Sequence, residues 1–246
     1  MKKITQEELN TILSDHKIWL EDPTKGKRAD LSNLDLTGLD FKGADLNNTN
    51  FQGANFIGAD LKGAYFRYAN CQNANFENAN LEGANCQNVN FKDAELIGAN
   101  FYKADCENAY FYGANCKDAH FYRANFQNAG FISSNYENAN FKYADCENAN
   151  FEGSNFYNAN LSNTNCQNVN FKDANLRGAN FYGANFYGAN LRGTSFYGAN
   201  FYGANFKNAD FRYADFYRAN CNGANFQGAN CEDADFRYAD FICTNL

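Results

Sequence analysis

The stretch GANFYGANFYGANLRG, residues 178 to 193, repeats one five-residue unit of Ala, Asn, Phe or Leu, a variable residue and Gly. The same period runs without an insertion from Ala29 to Leu246. Stepping by five from Leu31 gives 44 positions, here called centres, which hold 25 Phe, 10 Leu, 8 Cys and one Tyr. Because every Phe of the chain is at a centre, the aromatic residues are placed to build a core, unlike those of a disordered chain.

The other positions of the unit are nearly as regular. Two places before the centre the residue is Ala in 34 of 44 cases, and one place before it is Asn or Asp in 38 of 44. Two places after the centre lie 17 of the 19 glycines. Residues two apart in an extended chain point to the same side, and Gly or Asn tolerates the positive φ of many turns. Each pentapeptide is therefore predicted to form one short strand and one corner, and repeated corners close a stacked coil.

Units such as ANFQG (54–58), ADLKG (59–63) and ANLRG (189–193) resemble those of the pentapeptide repeat family, and the resemblance covers nearly the whole chain. It implies an all-β fold, a right-handed, four-sided parallel β-helix with four pentapeptides in each coil. Forty-four centres then predict about eleven coils and a solid rod roughly 50 Å long at the ~4.8 Å strand spacing. A near-copy of residues 86–102 at 166–182 agrees, because the offset of 80 is a whole number of 20-residue coils.

The first 28 residues lie outside the repeat, so two parts are predicted: a capping helix and linker at 1–28, and the β-helix at 29–246. Thr5 and Glu8 have the spacing of a capping box, and Pro23 marks the helix end. One helix face is expected to carry Leu9, Ile12, Leu13, His16 and Leu20. Such a helix is expected to cover the first coil, since uncovered strand edges promote aggregation, and a helix that binds a partner is the alternative.

The opposite end is expected to be uncovered, because the repeat continues to Leu246. An open coil edge can pair with another copy, which predicts a two-fold dimer through this end. The family resemblance implies the same. The residues expected there are Phe236, Phe241, Cys243 and Leu246, and Cys243, the one cysteine away from a centre, could cross-link such a dimer on oxidation.

Nothing in the repeat has the pattern of a catalytic site. Cys116 and His120 have a ligand-like gap, but one is expected to face inward and the other outward, and no long loop or Gly-rich phosphate loop is present. An enzyme is therefore not expected, nor a cofactor or a metal. The eight cysteines at centres are expected to be buried and reduced. With no secretory signal and no apolar stretch near 20 residues, we expect a cytoplasmic protein that does not enter a membrane.

The residue after each centre is expected to face outward, which places side chains in four vertical columns. One column holds the series Tyr157, Arg177, Tyr197, Tyr217 and Arg237, another holds Lys172, Arg192 and Arg212, and the tyrosine pairs Tyr102/Tyr122 and Tyr182/Tyr202 share a third. Tyr and Arg are enriched in binding hot spots, which favours a docking face, yet Tyr also stabilises strands by packing. Stacked cations, as in the Lys172 column, repel one another unless an anion binds them, and this slightly favours the docking interpretation.

Three functions stay open. The first is a non-catalytic scaffold that binds another protein. The second comes from the family resemblance, in which some members imitate DNA and inhibit DNA gyrase. The freely outward positions hold 11 acidic and 15 basic residues, which is the opposite of what a DNA mimic requires. Direct nucleic-acid binding is not expected at a net charge of -7, and the third function is an inert structural rod.

Overall fold

The computed structural model describes residues 1–242, and its repeats stack as a parallel β-helix. Single β-bridges join residues 20 apart, from Asp30 with Asn50 to Asn220 with Asp240, and every bridge is parallel. Four pentapeptides therefore separate each strand from the one stacked on it. The right-handed sense of the coil and the count of about eleven coils stay predictions.

The corners are turns with one left-handed residue. The Ala54 N–H donates to the Phe51 carbonyl at 2.9 Å, and the same bond recurs through the repeat. The residue two places after the centre has a positive φ at every corner from Asn33 to Tyr238, and the residue before it does not. This is the signature of a type II turn, which explains why Gly and Asn dominate the position.

The interior is a column of stacked rings. Phe131 lies 4.4 Å from Phe151 between ring centroids at an interplanar angle of 7°, and 4.8 Å from Phe111. Every centre from Leu31 to Cys221 is at most 1 % exposed. Because the rings of successive coils stack at the spacing of paired strands, the regular backbone and the apolar core stabilise each other.

The Asn and Asp residues before the centres form ladders along the rod. The Asn70 amide donates to the Asn50 side-chain oxygen at 3.3 Å, and the Asn90 amide donates to that of Asn70 at 3.1 Å. The same oxygens accept the backbone N–H two residues further on, as Asn90 does from Lys92 at 3.0 Å. These bonds tighten each turn and link neighbouring coils.

Two N-terminal elements contact the first coil. Strand β1 (Lys2–Lys3) pairs in parallel with β2 (Leu34–Asp35), and helix α1 (Gln6–Glu21) begins with the capping box of Thr5 and Glu8. The Gln6 side chain exchanges two hydrogen bonds with the backbone of Asp40, at 2.9 and 3.0 Å. Side chains of α1 join the same apolar core as the first centres. Within residues 1–242, no helix has the length and apolar character needed to cross a membrane.

Candidate protein-interaction surface

The column of outward residues Tyr157, Arg177, Tyr197, Tyr217 and Arg237, here called the C-terminal column, is a continuous stack over most of its length. The Arg177 guanidinium lies 4.9 Å from the Tyr197 ring, which stacks on Tyr217 at 5.5 Å and 11°. Arg237 lies 5.9 Å from the far side of Tyr217. The coil therefore brings together, in alternating contact, residues that are 20 apart in sequence. Cation–π contacts hold these side chains in place before any partner binds.

Two residues that the sequence reasoning missed complete this column. The Arg218 guanidinium donates to the Tyr197 hydroxyl at 3.3 Å and lies 5.3 Å from the Tyr217 ring. Tyr238 meets Tyr217 edge to face at 5.1 Å. Both occupy the corner position two places after a centre, where Gly or Asn is usual. A large side chain at that position is a signal that the sequence carries, because it must project into solvent.

The second basic column, Lys172, Arg192 and Arg212, differs from the sequence-based expectation in its charge balance. Lys172 pairs with Glu152 at 3.2 Å and with Asp173 at 3.4 Å, and the bond to Glu152 raises its pKa. Arg212 forms a bidentate pair with Asp210, at 2.7 Å for the closest atoms. The chain's own carboxylates thus supply the anions that this column was expected to need from a partner.

Arg192 lies between those two paired cations in the stacking order. Its Nε is buried and has no hydrogen-bond partner among the described residues. Its side chain is only half-buried, so the remaining guanidinium nitrogens still have access to solvent. Within residues 1–242, two cations of the column are therefore ion-paired, and Arg192 has no carboxylate within 4.0 Å.

A further cluster, here called the middle corner, lies on three consecutive coils at another corner of the rod. Its members are Tyr102, Lys103, Tyr122, Arg123, Lys142 and Tyr143. Tyr102 stacks on Tyr122 at 5.7 Å, and Tyr143 meets Tyr122 edge to face at 5.5 Å. The cations lie against these rings, as Lys103 does against Tyr102 at 5.0 Å. The sequence pattern predicted the Tyr102/Tyr122 pair but not Lys103, Arg123, Lys142 and Tyr143. Three of these four residues occupy corner positions, two places after a centre.

The structure describes part of the predicted dimer end, including Phe236 and Phe241. Phe236 and Phe241 are half-buried, whereas every centre up to Cys221 is fully buried. Their rings contact each other at 5.3 Å, and Phe236 stacks on Phe216 at 4.6 Å. Cys243 and Leu246 lie outside the described residues. Dimerisation through this end stays a prediction.

The cysteines at centres are packed in the apolar core. Seven are fully buried, and Cys231 is half-buried. Burial raises the pKa of Cys71, Cys106 and Cys146 well above the usual range, so the reactive thiolate is disfavoured. Among residues 1–242, no group of His, Cys, Asp and Glu is arranged to hold a metal ion.

The stacked coils, the left-handed corners and the Asn ladders define a solenoid protein built from tandem pentapeptides. A family model described as pentapeptide repeats matches eight copies, which cover almost all of residues 27 to 246. The chain belongs to the pentapeptide repeat family. The matched segments are 27–63, 59–96, 69–105, 90–128, 119–156, 154–193, 174–212 and 214–246.

Solved structures of the same family are similar to this chain. HetL, a pentapeptide repeat protein involved in heterocyst differentiation regulation from the cyanobacterium Nostoc, is 25% identical over 89% of this chain and 94% of its own, with a TM-score of 0.45. A thylakoid-lumen member from Arabidopsis thaliana is 27% identical over 48% of this chain and 69% of its own, with a TM-score of 0.34.

A third structure is a trypsin-treated variant of QnrB1, a plasmid-mediated fluoroquinolone resistance protein. It is 19% identical over 89% of this chain and 90% of its own, with a TM-score of 0.37. A comparison with curated proteins finds no match. The family assignment therefore rests on the repeats themselves.

Proposed function

We propose that this protein is a non-catalytic scaffold that binds another protein through the C-terminal column. The rod, of about eleven coils with α1 as the cap of its first coil, holds that column rigid. No chemistry at the site is needed for such a role. The function is recognition by a preformed surface.

The observation that carries the proposal is the ordered contact series from Arg177 through Tyr197 and Tyr217 to Arg237, with ring and guanidinium separations of 4.9, 5.5 and 5.9 Å. Tyr157 and Arg177 are exposed, and Tyr197 and Tyr217 are half-buried by their neighbours in the stack. When a partner docks, the side chains of the C-terminal column lose little conformational entropy, because their contacts with one another already fix their rotamers. Tyr and Arg also supply large contact areas, as binding hot spots do.

The test is affinity capture from native extract with the wild-type chain and with a variant in which Tyr157, Arg177, Tyr197 and Tyr217 are all changed to Ser. We expect a specific protein to be retained by the wild type and lost from the variant. The captured protein is then purified, and its Kd is measured for both chains.

A matched control removes the same residue types elsewhere. Tyr65, Arg67, Tyr68 and Tyr110 are exposed on the N-terminal half, so their joint change to Ser also deletes three Tyr and one Arg. The control should bind like the wild type. Equal loss in both variants, or no specific protein on either chain, would reject the column as a docking site and leave the inert rod as the better description.

The gyrase-inhibitor alternative predicts that the purified chain inhibits DNA supercoiling by gyrase. Basic residues outnumber acidic ones at the freely outward positions, 15 to 11, which does not fit an imitation of the DNA backbone. Inhibition that survives the four Ser substitutions would replace the C-terminal column with the whole rod as the functional surface.

A further inference from the structure

The middle corner contains three cations without a counter-ion on consecutive coils. Within the described residues, no carboxylate lies within 4.0 Å of the charged groups of Lys103, Arg123 or Lys142. Nearer the N-terminus, the cations of the same corner column form ion pairs with carboxylates. Lys42 pairs with Asp60 and Lys62 with Glu82, each at 3.0 Å. The pairing of stacked lysines with carboxylates one coil away therefore stops at the middle corner.

The rings of the middle corner are already engaged. Lys103 lies against Tyr102 at 5.0 Å, Arg123 lies 5.4 Å from Tyr122, and Lys142 lies 5.2 Å from Tyr143. The stacked rings leave no gap into which a nucleic-acid base could insert. What this corner offers to a partner is positive charge at the spacing of the coils.

The next corner along the same coils has the opposite charge and is here called the acidic corner. It consists of Asp105, Glu107, Asp145 and Glu147. These carboxylates accept hydrogen bonds from amide side chains, as Glu107 does from Gln87 at 3.1 Å and Asp145 from Gln127 at 2.9 Å. No Lys or Arg among residues 1–242 forms an ion pair with any of them. One side of the rod, only five residues wide, therefore has a basic edge and an acidic edge at the same height.

We propose that this side of the rod binds the same side of a second copy, with the two rods parallel and related by a two-fold axis along their length. That operation exchanges the two edges and keeps the height. Lys103 then lies opposite Glu107 of the second copy, and Lys142 lies opposite Glu147. Arg123 lies opposite the uncharged Gln127, and each contact occurs twice.

The same side offers contact area beyond the charged patch. Tyr182 and Tyr187 occupy its two edges on one coil and are 49% and 38% exposed, so the proposed axis places them against each other. Tyr202 stacks on Tyr182 at 5.6 Å and extends this apolar area by a coil. A stable interface needs about 800 Å² from each partner, more than three coils supply, so these tyrosines are part of the proposed contact.

The alternative occupant is an acidic segment of another protein, and the spacing argues for a second copy. Cations on successive coils are about 4.8 Å apart, whereas same-side residues of one extended strand are about 6.6 Å apart. Carboxylates stacked on coils of the same repeat match the cations in register, and this chain carries them at the required height.

The experiment is sedimentation equilibrium of the full chain at about 50 mM and at about 500 mM salt. The higher concentration removes most of the attraction between exposed charges. Two variants are compared with the wild type. The first carries Lys103→Glu, Arg123→Glu and Lys142→Glu, so both of its edges are acidic. The second carries Glu107→Lys and Glu147→Lys together with Asp105→Asn and Asp145→Asn, the usual residue at that position, which makes its acidic edge basic.

We expect the wild type to show an association step whose Kd rises at least about tenfold at the higher salt. Each variant alone should lose that step, because like charges then face each other. An equal mixture of the two should recover it, since an acidic side meets a basic side. Association through the C-terminal end adds a separate step that these changes leave in place, so the readout is the gain or loss of one step.

The matched control carries Lys92→Glu, Lys117→Glu and Lys172→Glu, with the same change of charge on corners of the opposite side. It should associate like the wild type. The proposal is overturned if the wild type lacks the salt-dependent step, if the control loses it equally, or if the mixture does not recover it. Since none of these residues belongs to the C-terminal column, partner capture by that column is unaffected by either result.

Discussion

The rod contains two kinds of aromatic stack, one inside and one outside. The rings of Phe111, Phe131 and Phe151 stack at 4.8 and 4.4 Å and are fully buried. The outer rings of Tyr182 and Tyr202 stack at 5.6 Å with an interplanar angle of only 3°, yet 49% and 50% of their surface is exposed. The two stacks have similar ring geometry but differ in how deeply their rings are buried.

That difference separates stability from function. The inner rings recur in every part of the rod because each coil must bury its own apolar surface. The outer rings stack only in short runs, such as Tyr102 with Tyr122 and Tyr197 with Tyr217, and a half-exposed Tyr pair contributes only about 0.2–1 kcal/mol. Folding therefore requires the inner stack but not the outer one, and a separate reason is needed for Tyr and Arg to accumulate on particular corners.

The largest expected effect comes from breaking the inner stack. Phe131→Ala should lower the free energy of unfolding by about 3–5 kcal/mol, because it removes a buried ring that contacts Phe111, Phe151 and Tyr136. Urea unfolding followed by circular dichroism measures the loss. Phe131→Leu is the control and should cost far less, since Leu occupies ten centres of this chain. A loss no larger than that of an outer Tyr would contradict the division drawn between the stacks.

The inner stack was also the part that sequence could predict. The period of five, the apolar centres and the small residue two places earlier follow from the needs of every coil, so they recur and can be counted. The C-terminal column was found in the same way, since its members are 20 apart. The middle corner was only partly found, because Lys103, Arg123 and Tyr143 occupy a position that normally holds Gly or Asn. Charge pairing could not be predicted, because it depends on side-chain directions between coils, as between Lys172 and Glu152.

A smaller effect is expected at the corners that connect inside and outside. Gly188 and Gly198 both have a positive φ, and a Cβ at Gly188 would lie 2.7 Å from the Asn168 side-chain oxygen, whereas at Gly198 it would meet nothing within 4 Å. Gly198→Ala should cost about 1 kcal/mol through backbone strain alone. Gly188→Ala should cost about 2 kcal/mol, since Asn168 must also give up its hydrogen bond to Asn148. Equal losses in urea unfolding would show that coil-to-coil clearance does not matter at the corners.

Helix α1 provides a buried polar group against which the apolar interior can be compared. His16 is fully buried, its Nδ1 accepts the Ala29 N–H at 3.1 Å, and its Nε2 lies 3.0 Å from the Asn47 carbonyl oxygen. Burial lowers its pKa below 6.5, so the folded chain favours the neutral ring. The stability that neutral His16 contributes is present above pH 6.5 and is lost as the pH falls through the lowered pKa.

We therefore expect the melting temperature to fall as the pH drops below 6.5, before the carboxylates titrate. Differential scanning calorimetry from pH 8 to about pH 5 measures this. His16→Gln cannot gain a proton, and its melting temperature should be nearly independent of pH over that range. An unchanged pH dependence in this variant would exclude His16 as the group responsible.

The sharpest test of the comparison, with a modest effect on stability, is expected in the outer stack. Tyr197→Ser with Tyr217→Ser removes the ring contact at 5.5 Å and the cation–π contacts of Arg177 and Arg237. Exposed contacts of this kind contribute about 0.5–1 kcal/mol each, so the loss of these three should cost no more than about 3 kcal/mol. Its Kd for the protein captured by the C-terminal column should nevertheless rise by about tenfold or more, because truncating hot-spot residues costs 2 kcal/mol or more. Tyr65→Ser with Tyr68→Ser is the matched control, because these exposed tyrosines lie on the N-terminal half and should alter neither quantity appreciably. If the double variant instead lost several kcal/mol of stability and kept its affinity, the outer rings would serve the fold as the inner ones do.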